Sequence, residues 1–448
     1  MNGRPARVAL YADSFPNLSE TFVAALVRGL LERGNDVHVI CRRSDPEMWA
    51  RFPELDRPAI RRRVHVVATR ERFLHRMLSV VVDLLVGAVL HPVVFLRWVR
   101  VMARRSPRER IRTAPFGALA VRLAPDIVHF QFGSQAKGRL HVKEDVGCRV
   151  IVSFRGLDAN YVGLDDRSYY DEVWSAADAV HVLGTDLDRR TADRGRPPTM
   201  PTVIIAPAVD VGRFQPAPSR GDGASDDGLH LLSIGRLHWK KGHEWSVVAL
   251  KGLRDRGIPA TLRVLGDGAQ REAVENVARA LGVADHLDLR GAVGHADVVG
   301  HLRWADVVVH AAVSEGFGNA VLEAQSCAIP VVCTDADGLA ENVEHGVTGF
   351  VVPRRDAHAL CDSIASLAGL GVDGRREMGD AGRRRVVEHF GTEHQLQRFE
   401  QLYASVLDER PSPRDDRRPP SGSRRPQVAR VLAQLLPRRA SGEDQGRR

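Results

Sequence analysis

Short apolar runs, separated by helically patterned or irregular segments, recur along most of this chain. Residues 7–12 (RVALYA) read as a strand, and residues 12–20 (ADSFPNLSE) as a turn rich in Asp, Ser, Pro and Asn. Phe22, Val23, Leu26, Val27, Leu30 and Leu31 then fall on one face at helical spacing. Ser19 or Asn17 suits the cap of that helix, and Gly34 its end. The next strand is DVHVIC (36–41), followed by RVHVVA (63–68), DIVHFQF (126–132), RVIVSF (149–154), DAVHVL (178–183) and TVIIAP (202–207). Strands alternating with helical or irregular connections predict a parallel sheet covered on both faces.

The texture changes at 207–228, where PAVDVGRFQPAPSRGDGASDDG is rich in Pro, Gly, Ser and Asp and reads as an exposed linker. The alternation then restarts with LHLLSIG (229–235), ATLRVLG (260–266), HLDLRG (286–291), ADVVVHA (305–311), IPVVCT (329–334) and GFVVP (349–353), and helical patterns fill 356–408. The expectation is an α/β protein of two doubly wound, Rossmann-like domains facing across a cleft, with ligand bound at the carboxyl ends of the strands. The expected boundaries are 1–207, a linker at 208–228, a second domain at 229–390, a helix at 391–408 that returns to the first domain, and a disordered basic tail at 409–448. Within the tail, QVARVLAQLLPRR (427–439) has the pattern of a short amphipathic helix.

Length agrees with two domains, since single cores seldom grow beyond roughly 250–300 residues. The formal net charge of +8 favours an acidic partner such as a nucleotide, an anionic membrane surface or a nucleic acid. The five cysteines (Cys41, Cys148, Cys327, Cys333, Cys361) show no metal-type spacing and suggest free thiols in a reducing compartment. Asp13 interrupts the first apolar run too early for a secretory leader, so the expected location is the cytoplasm, with the inner face of the cell membrane as the alternative. Residues 78–96 (LSVVVDLLVGAVLHPVVFL) are apolar but contain Asp83, His91 and Pro92. They read as two helices breaking at His91-Pro92, or as a membrane-surface element flanked by Arg70, Arg72, Arg76, Arg97, Arg100, Arg104 and Arg105.

Candidate chemistry sits at strand ends of the second half. In SIGRLHWKKG (233–242), Arg236 and Lys241, with Lys240 as the lesser choice, are placed to clamp a diphosphate, or form ordinary surface charge. VLGDGAQ (264–270) and LRGAV (289–293) are further turns where backbone approaches something closely. SEGFGNAVLEAQS (314–326) is more specific: Glu315 precedes a glycine-flanked turn and Glu323 lies on the following helix. Ionised carboxylates only accept hydrogen bonds and so suit sugar and ribose diols, while amides at a helix start suit an anion.

Taken together, these segments resemble the retaining glycosyltransferases of family 4, which have the GT-B architecture. The similarity runs from Val8 to about Tyr403 and rests on GRLHWKKG, LGDG, LRGAV, EGFGNAVLE, IPVVCTDADGLAENVEHGVTGFVVP and VIIAPAVDVGRFQP in that order. SFPNLSETFV (14–23) further resembles the exopolysaccharide and colanic-acid branch.

The resemblance implies a donor-binding second domain and an acceptor-binding first domain. Arg236 and Lys241 would hold the donor diphosphate after Gly235, Glu323 the ribose and Glu315 the transferred sugar. Amides of Gly316, Phe317, Gly318 and Asn319 would close around sugar and phosphate, with Gly266 and Val293 near the base. Asn17, Ser19 and Glu20 would face the acceptor.

One position departs from the family: Arg155 stands after IVSF where a histidine is usual. Arginine is no base at neutral pH but still binds phosphate or sugar oxygens. His129 and His141 read as structural. The expected activity is transfer of a hexose from a nucleotide diphosphate sugar to an oligosaccharide or lipid-linked acceptor, in exopolysaccharide or cell-surface glycan synthesis. No metal, organic cofactor or nucleic acid is implied. A non-catalytic sugar-nucleotide binding protein, or an epimerase or phosphorylase of the same fold, is the alternative.

Overall fold

The computed structural model describes residues 5–17, 20–67, 73–217, 228–294 and 297–408. Ser19, residues 218–227 of the expected linker, Arg70, Arg72 and the basic tail lie outside the described residues.

The first half forms a seven-stranded, all-parallel sheet: β1 (Arg7–Ser14), β2 (Asp36–Arg43), β3 (Val64–Val66), β4 (Ile127–Phe130), β5 (Arg149–Phe154), β6 (Ala179–Val182) and β7 (Thr202–Ile204). Their spatial order is β3-β2-β1-β4-β5-β6-β7. The second half forms a parallel six-stranded sheet from β8 (Leu229–Ile234), β9 (Ala260–Leu265), β10 (Leu287–Gly291), β11 (Val307–His310), β12 (Val331–Thr334) and β13 (Gly349–Val352). Its order is β10-β9-β8-β11-β12-β13. Each order reverses once, between β1 and β4 and between β8 and β11, and each reversal opens a crevice at the carboxyl ends of the flanking strands. β4, β6, β11 and β12 are buried at every position, as strands covered on both faces must be.

The helix Thr21–Glu32 has Glu20, rather than Asn17, at its N-cap position; Gly34, at φ 83°, ends it as expected. The apolar stretch at 78–96 becomes two helices, Phe73–Leu90 and Pro92–Arg104, separated at His91. Pro92 cannot supply the N–H that a continuous helix would need there. Among the described residues no helix is long and apolar enough to cross a membrane. Asp83 is buried and pairs with Arg122 at 3.1 Å. Leu78, Leu85, Val89, Leu90, Val93 and Leu96 are instead exposed.

Two apolar residues of the segment expected to be an exposed linker, Val209 and Phe214, are buried. Val209 pairs with Gly391, and the Phe214 carbonyl accepts from Ser326 Oγ at 2.7 Å. The last helix among the described residues, Thr392–Asp408, packs Leu396, Phe399, Leu402, Tyr403 and Val406 into the core beneath the first sheet. Arg33 pairs with its Glu393 and Glu400, so the chain crosses between the two sheets twice.

A row of buried polar groups fastens that helix. The Ile205 carbonyl only accepts, so His181 Nε2–H donates to it at 2.9 Å, which sets every proton upstream. Ser153 Oγ then donates to His181 Nδ1 at 2.7 Å, His129 Nε2–H donates to Ser153 at 2.8 Å, and the Tyr403 hydroxyl donates to His129 Nδ1 at 3.0 Å. Every member is satisfied only while both rings are neutral. Burial lowers His129 well below the usual histidine range; burial, then the nearby Arg155 charge, lowers His181 to about 3.

Removing the Tyr403 hydroxyl (Tyr403→Phe) leaves His129 Nδ1 buried without a donor, and is expected to destabilise the fold by about 1–3 kcal/mol in chemical denaturation. Unfolded histidine titrates near 6.5, so between pH 6.5 and about 3 the unfolded chain holds one more proton at His181 than the folded chain. Stability from this group is therefore complete above pH 6.5 and is lost as pH falls. His181→Asn, which takes up no proton, is expected to show a stability–pH slope shallower by about 1.4 kcal/mol per pH unit across that window.

Candidate active site

Of the residues singled out in the second half, Arg236, Lys241 and Glu315 collect at the carboxyl ends of β8 and β11, the two strands flanking the order reversal. β8 runs into Gly235-Arg236 and the short 3-10 turn Trp239–Lys241, and β11 runs into the segment that carries Glu315. Val313 N–H donates to the Lys240 carbonyl at 2.7 Å, tying the two connections together. Gly242 permits this approach: its φ is 60°, and a Cβ there would lie 2.1 Å from the Ala311 carbonyl oxygen. Gly266 allows the neighbouring turn after β9 to close in, since a Cβ on it would lie 1.9 Å from the Gly235 carbonyl oxygen.

Lys241 Nζ donates to Glu315 Oε2, and His310 Nε2 reaches the same oxygen at 3.2 Å. Glu315 Oε1 accepts from the Gly316 amide at 3.2 Å. Burial by itself would push this carboxyl up; Lys241 and His310 outweigh it and hold Glu315 well below the usual carboxylate range. The outcome is a charged carboxylate that is largely shielded, its side chain 16% exposed, where an ionic contact is stronger than at the open surface. Burial lowers His310 despite the pull of Glu315, and lowers His243 to about 4. His243 accepts from Ser233 Oγ at 3.1 Å and shares its Nε2–H between the carbonyls of Gly235 (3.2 Å) and Arg236 (3.3 Å), pinning the turn that presents Arg236.

Arg236 is exposed beside this corner. Glu323 is half-buried on the helix Asn319–Ser326, whose N-cap is Gly318 at φ 90°. Phe317 turns its ring into the core against Phe390 and offers only backbone to the site; its carbonyl accepts from Asn342 Nδ2. Val293 is half-buried just beyond β10.

Arg155 lies across the cleft and points into its own domain. Its Nε donates to the Gln131 carbonyl at 3.1 Å, its Nη2 to Gln131 Oε1 at 3.2 Å, and its guanidinium carbon sits 3.6 Å over the Phe22 ring. Burial lowers its pKa to about 10, against the attraction of Asp158 and Glu20. Glu20 is pushed up to about 7, first by burial, with Arg155 pulling the other way and Asp13 adding to the rise. Glu20 Oε2, an acceptor, and Gln131 Nε2, a donor, are buried without hydrogen-bond partners among the described residues. Asn17 gives its carbonyl to the Glu20 amide at 3.0 Å.

The two halves meet at this site. A Cβ on Gly156, the residue after Arg155, would lie 2.8 Å from Gly316 Cα. Lys240 Nζ sits 3.2 Å from the Tyr161 ring centroid, and Glu341 accepts from the amides of Thr185 (2.8 Å) and Asp186 (2.7 Å) at the start of the helix Thr185–Asp193. Sequence reasoning passed over His243, His310, Asp337 and Glu341. A polar residue closing an otherwise apolar strand was a usable signal for His310. The others depend on partners distant in the chain.

Residues 219–385 match the family model described as glycosyl transferases group 1. A putative colanic acid biosynthesis glycosyltransferase, WcaL of Escherichia coli K12, is 22% identical over 411 residues, covering 86% of this chain and 96% of that protein. A GDP-mannose-dependent alpha-(1-6)-phosphatidylinositol monomannoside mannosyltransferase of Mycobacterium tuberculosis is 28% identical over 273 residues, 58% of this chain and 69% of that one. Among solved structures, Anabaena HepE in complex with UDP-glucose superposes with a TM-score of 0.66 at 16% identity, covering 89% of this chain and 99% of that chain.

Proposed function

We propose that this chain, a glycosyltransferase of the GT-B fold acting on a sugar-nucleotide donor, moves a hexose with retention of anomeric configuration to an oligosaccharide or lipid-linked acceptor in exopolysaccharide or cell-surface glycan synthesis. The observation that carries this reading is the joining of Lys241 and Glu315 at the β8–β11 reversal, directly beneath Gly156 of the other domain. A donor diphosphate brings negative charge that competes with Glu315 for the Lys241 ammonium, and Arg236 stands exposed on the same turn to share it. Glu323, one helix further on, is left for the ribose hydroxyls.

In the transfer step the bond between the anomeric carbon and the phosphate oxygen breaks, and the electron pair leaves with the nucleoside diphosphate. The acceptor hydroxyl oxygen bonds to the same face of that carbon and its proton passes to the departing phosphate oxygen, so the step needs no side-chain base. Arg236 and Lys241 stabilise the charge on the leaving group, and Glu315 faces the positive charge that builds on the sugar. Arg155 acts from the acceptor side: its guanidinium holds Gln131 in place and lies near enough to Glu20 to attract its charge, and the orphaned polar atoms of these two residues suit an incoming hydroxyl. The WcaL and mannosyltransferase relatives, named for colanic acid and a phosphatidylinositol glycan, support an acceptor of this kind.

The helices Phe73–Leu90 and Pro92–Arg104 are the surface for an anionic lipid bilayer. Leu85, Val89 and Val93 are 64%, 81% and 79% exposed, while Asp83 is turned inward to Arg122. Residues 84–108 contain no Asp or Glu and five arginines, of which Arg97, Arg100, Arg104 and Arg108 are exposed. An apolar face rimmed by cations complements anionic headgroups over acyl chains.

Incubation with candidate nucleotide sugars and an acceptor glycan is expected to release nucleoside diphosphate and give a product whose anomeric configuration, read by NMR, matches the donor. An inverted product would overturn retention, and an isomerised donor would favour the epimerase. Glu315→Gln keeps shape but loses charge, so kcat is expected to fall about 10- to 150-fold with little change in donor KM. Glu323→Gln is expected to raise donor KM with kcat nearly intact. Matching effects in both variants would refute this division. For the membrane face, the full chain is expected to sediment with phosphatidylglycerol vesicles at low salt, to release at high salt, and to lose binding on Val89→Glu. Failure to sediment at low salt would exclude that face.

A further inference from the structure

We propose that Asp337 is a positioning residue that couples the approach of the two domains to the placement of Glu315. The inference rests on Glu315 acting at the transferred sugar, as above, and adds what holds it there.

Asp337 opens the 3-10 turn Asp337–Asn342 with its side chain only 6% exposed. Its φ of 53° lies in the left-handed region, uncommon for a residue other than glycine, so the surrounding contacts have to hold it there. Those contacts are five hydrogen bonds to one carboxylate. From its own domain, Oδ2 accepts from Ser314 Oγ at 2.7 Å and from the Glu315 amide at 3.1 Å, and Oδ1 accepts from Arg354 Nη1 at 3.1 Å. From the other domain, Oδ2 accepts from Asn160 Nδ2 at 3.0 Å and Oδ1 from Arg190 Nη2 at 2.8 Å. Arg190 Nη1 also reaches Asn160 Oδ1 at 3.3 Å, so the two partners across the cleft act as one unit.

The arrangement makes domain contact and site geometry share an atom. Asp337 Oδ2 holds the backbone N–H of Glu315 and is itself held by Asn160 of the facing domain. When the domains part, Asp337 loses one cation and one amide donor, and the turn under Glu315 loses the support that fixes its carboxylate. A carboxylate offers about four lone-pair sites, so the closed arrangement saturates it and the open one does not. Asn160 ends the helix Gly156–Asn160, whose first residue touches Gly316, so the same short helix bears on both ends of the Ser314–Gly316 turn. Glu341, on the same 3-10 turn as Asp337, binds the start of the helix that carries Arg190, giving closure a second grip that does not touch Glu315.

The test uses Arg190, which lies in the other domain, is part-exposed and is distant in sequence from Glu315. Arg190→Ala and Asp337→Asn are each expected to lower kcat about tenfold, the loss of one charge-assisted hydrogen bond, with the affinity for free nucleoside diphosphate unchanged. The double variant is expected to be no worse than either single one, and Arg190→Lys to recover part of kcat. An unchanged kcat in Arg190→Ala beside a fallen kcat in Asp337→Asn would overturn the coupling and leave Asp337 a local support. Additive losses in the double variant would do the same. Glu315→Gln is measured alongside. If it keeps full kcat the role given to Glu315 fails, whereas a collapse of Glu315→Gln with normal Arg190→Ala removes only the coupling.

Discussion

An ionised carboxylate enclosed by protein has to be neutralised, and much of the second domain's cleft edge follows from how Glu315 meets that demand. Its charge is balanced by Lys241 and supported by His310, and both connections must come within hydrogen-bond reach of one oxygen. That requirement explains the glycine at 242, where a side chain would strike the Ala311 carbonyl, and the amide bond from Val313 to Lys240. It also explains why His243 and His310 are neutral: burial disfavours their charged forms, and a second cation beside Lys241 would cost more than Glu315 returns.

The first domain solves the opposite problem, holding polar groups where no charge is wanted. Across β4, β5 and β6 the side chains of His129, Ser153 and His181 form a one-directional row that begins at Tyr403 and ends on the Ile205 carbonyl. The row fastens the helix Thr392–Asp408 to the first sheet, so a segment that follows the second domain in sequence completes the first domain's core. The two sheets are therefore bound by covalent crossings at both ends of the second domain, while the cleft face relies on contacts that can part: Gly156 on Gly316, Glu341 on the helix Thr185–Asp193, and the shared carboxylate of Asp337. This division between permanent and reversible contacts suits the proposed transfer, in which a cleft admits a donor and then excludes water.

What the sequence determined by itself was the alternation of elements and the chemistry at strand ends. Apolar runs such as ADVVVHA and IPVVCT have to be strands covered on both faces, and glycine-bounded turns after them have to lie at the carboxyl edge. Arg236, Lys241, Glu315 and Glu323 were legible because each sits within a few residues of such a turn. His91-Pro92 likewise marked a helix break, since the missing N–H of proline is a local property. The tertiary structure decided what depends on residues far apart in the chain. Arg155 reads the same from sequence whether it faces a donor or its own domain; packing on Phe22 and Gln131 turned it inward. Val209 and Phe214 stand in a Pro- and Gly-rich segment that reads as exposed, yet both are buried, Val209 by pairing with Gly391 and Phe214 against the second domain, where its carbonyl meets Ser326. Asp337 carries no local signal, because its five donors come from positions 160, 190, 314, 315 and 354, and only the meeting of two domains brings them to one carboxylate.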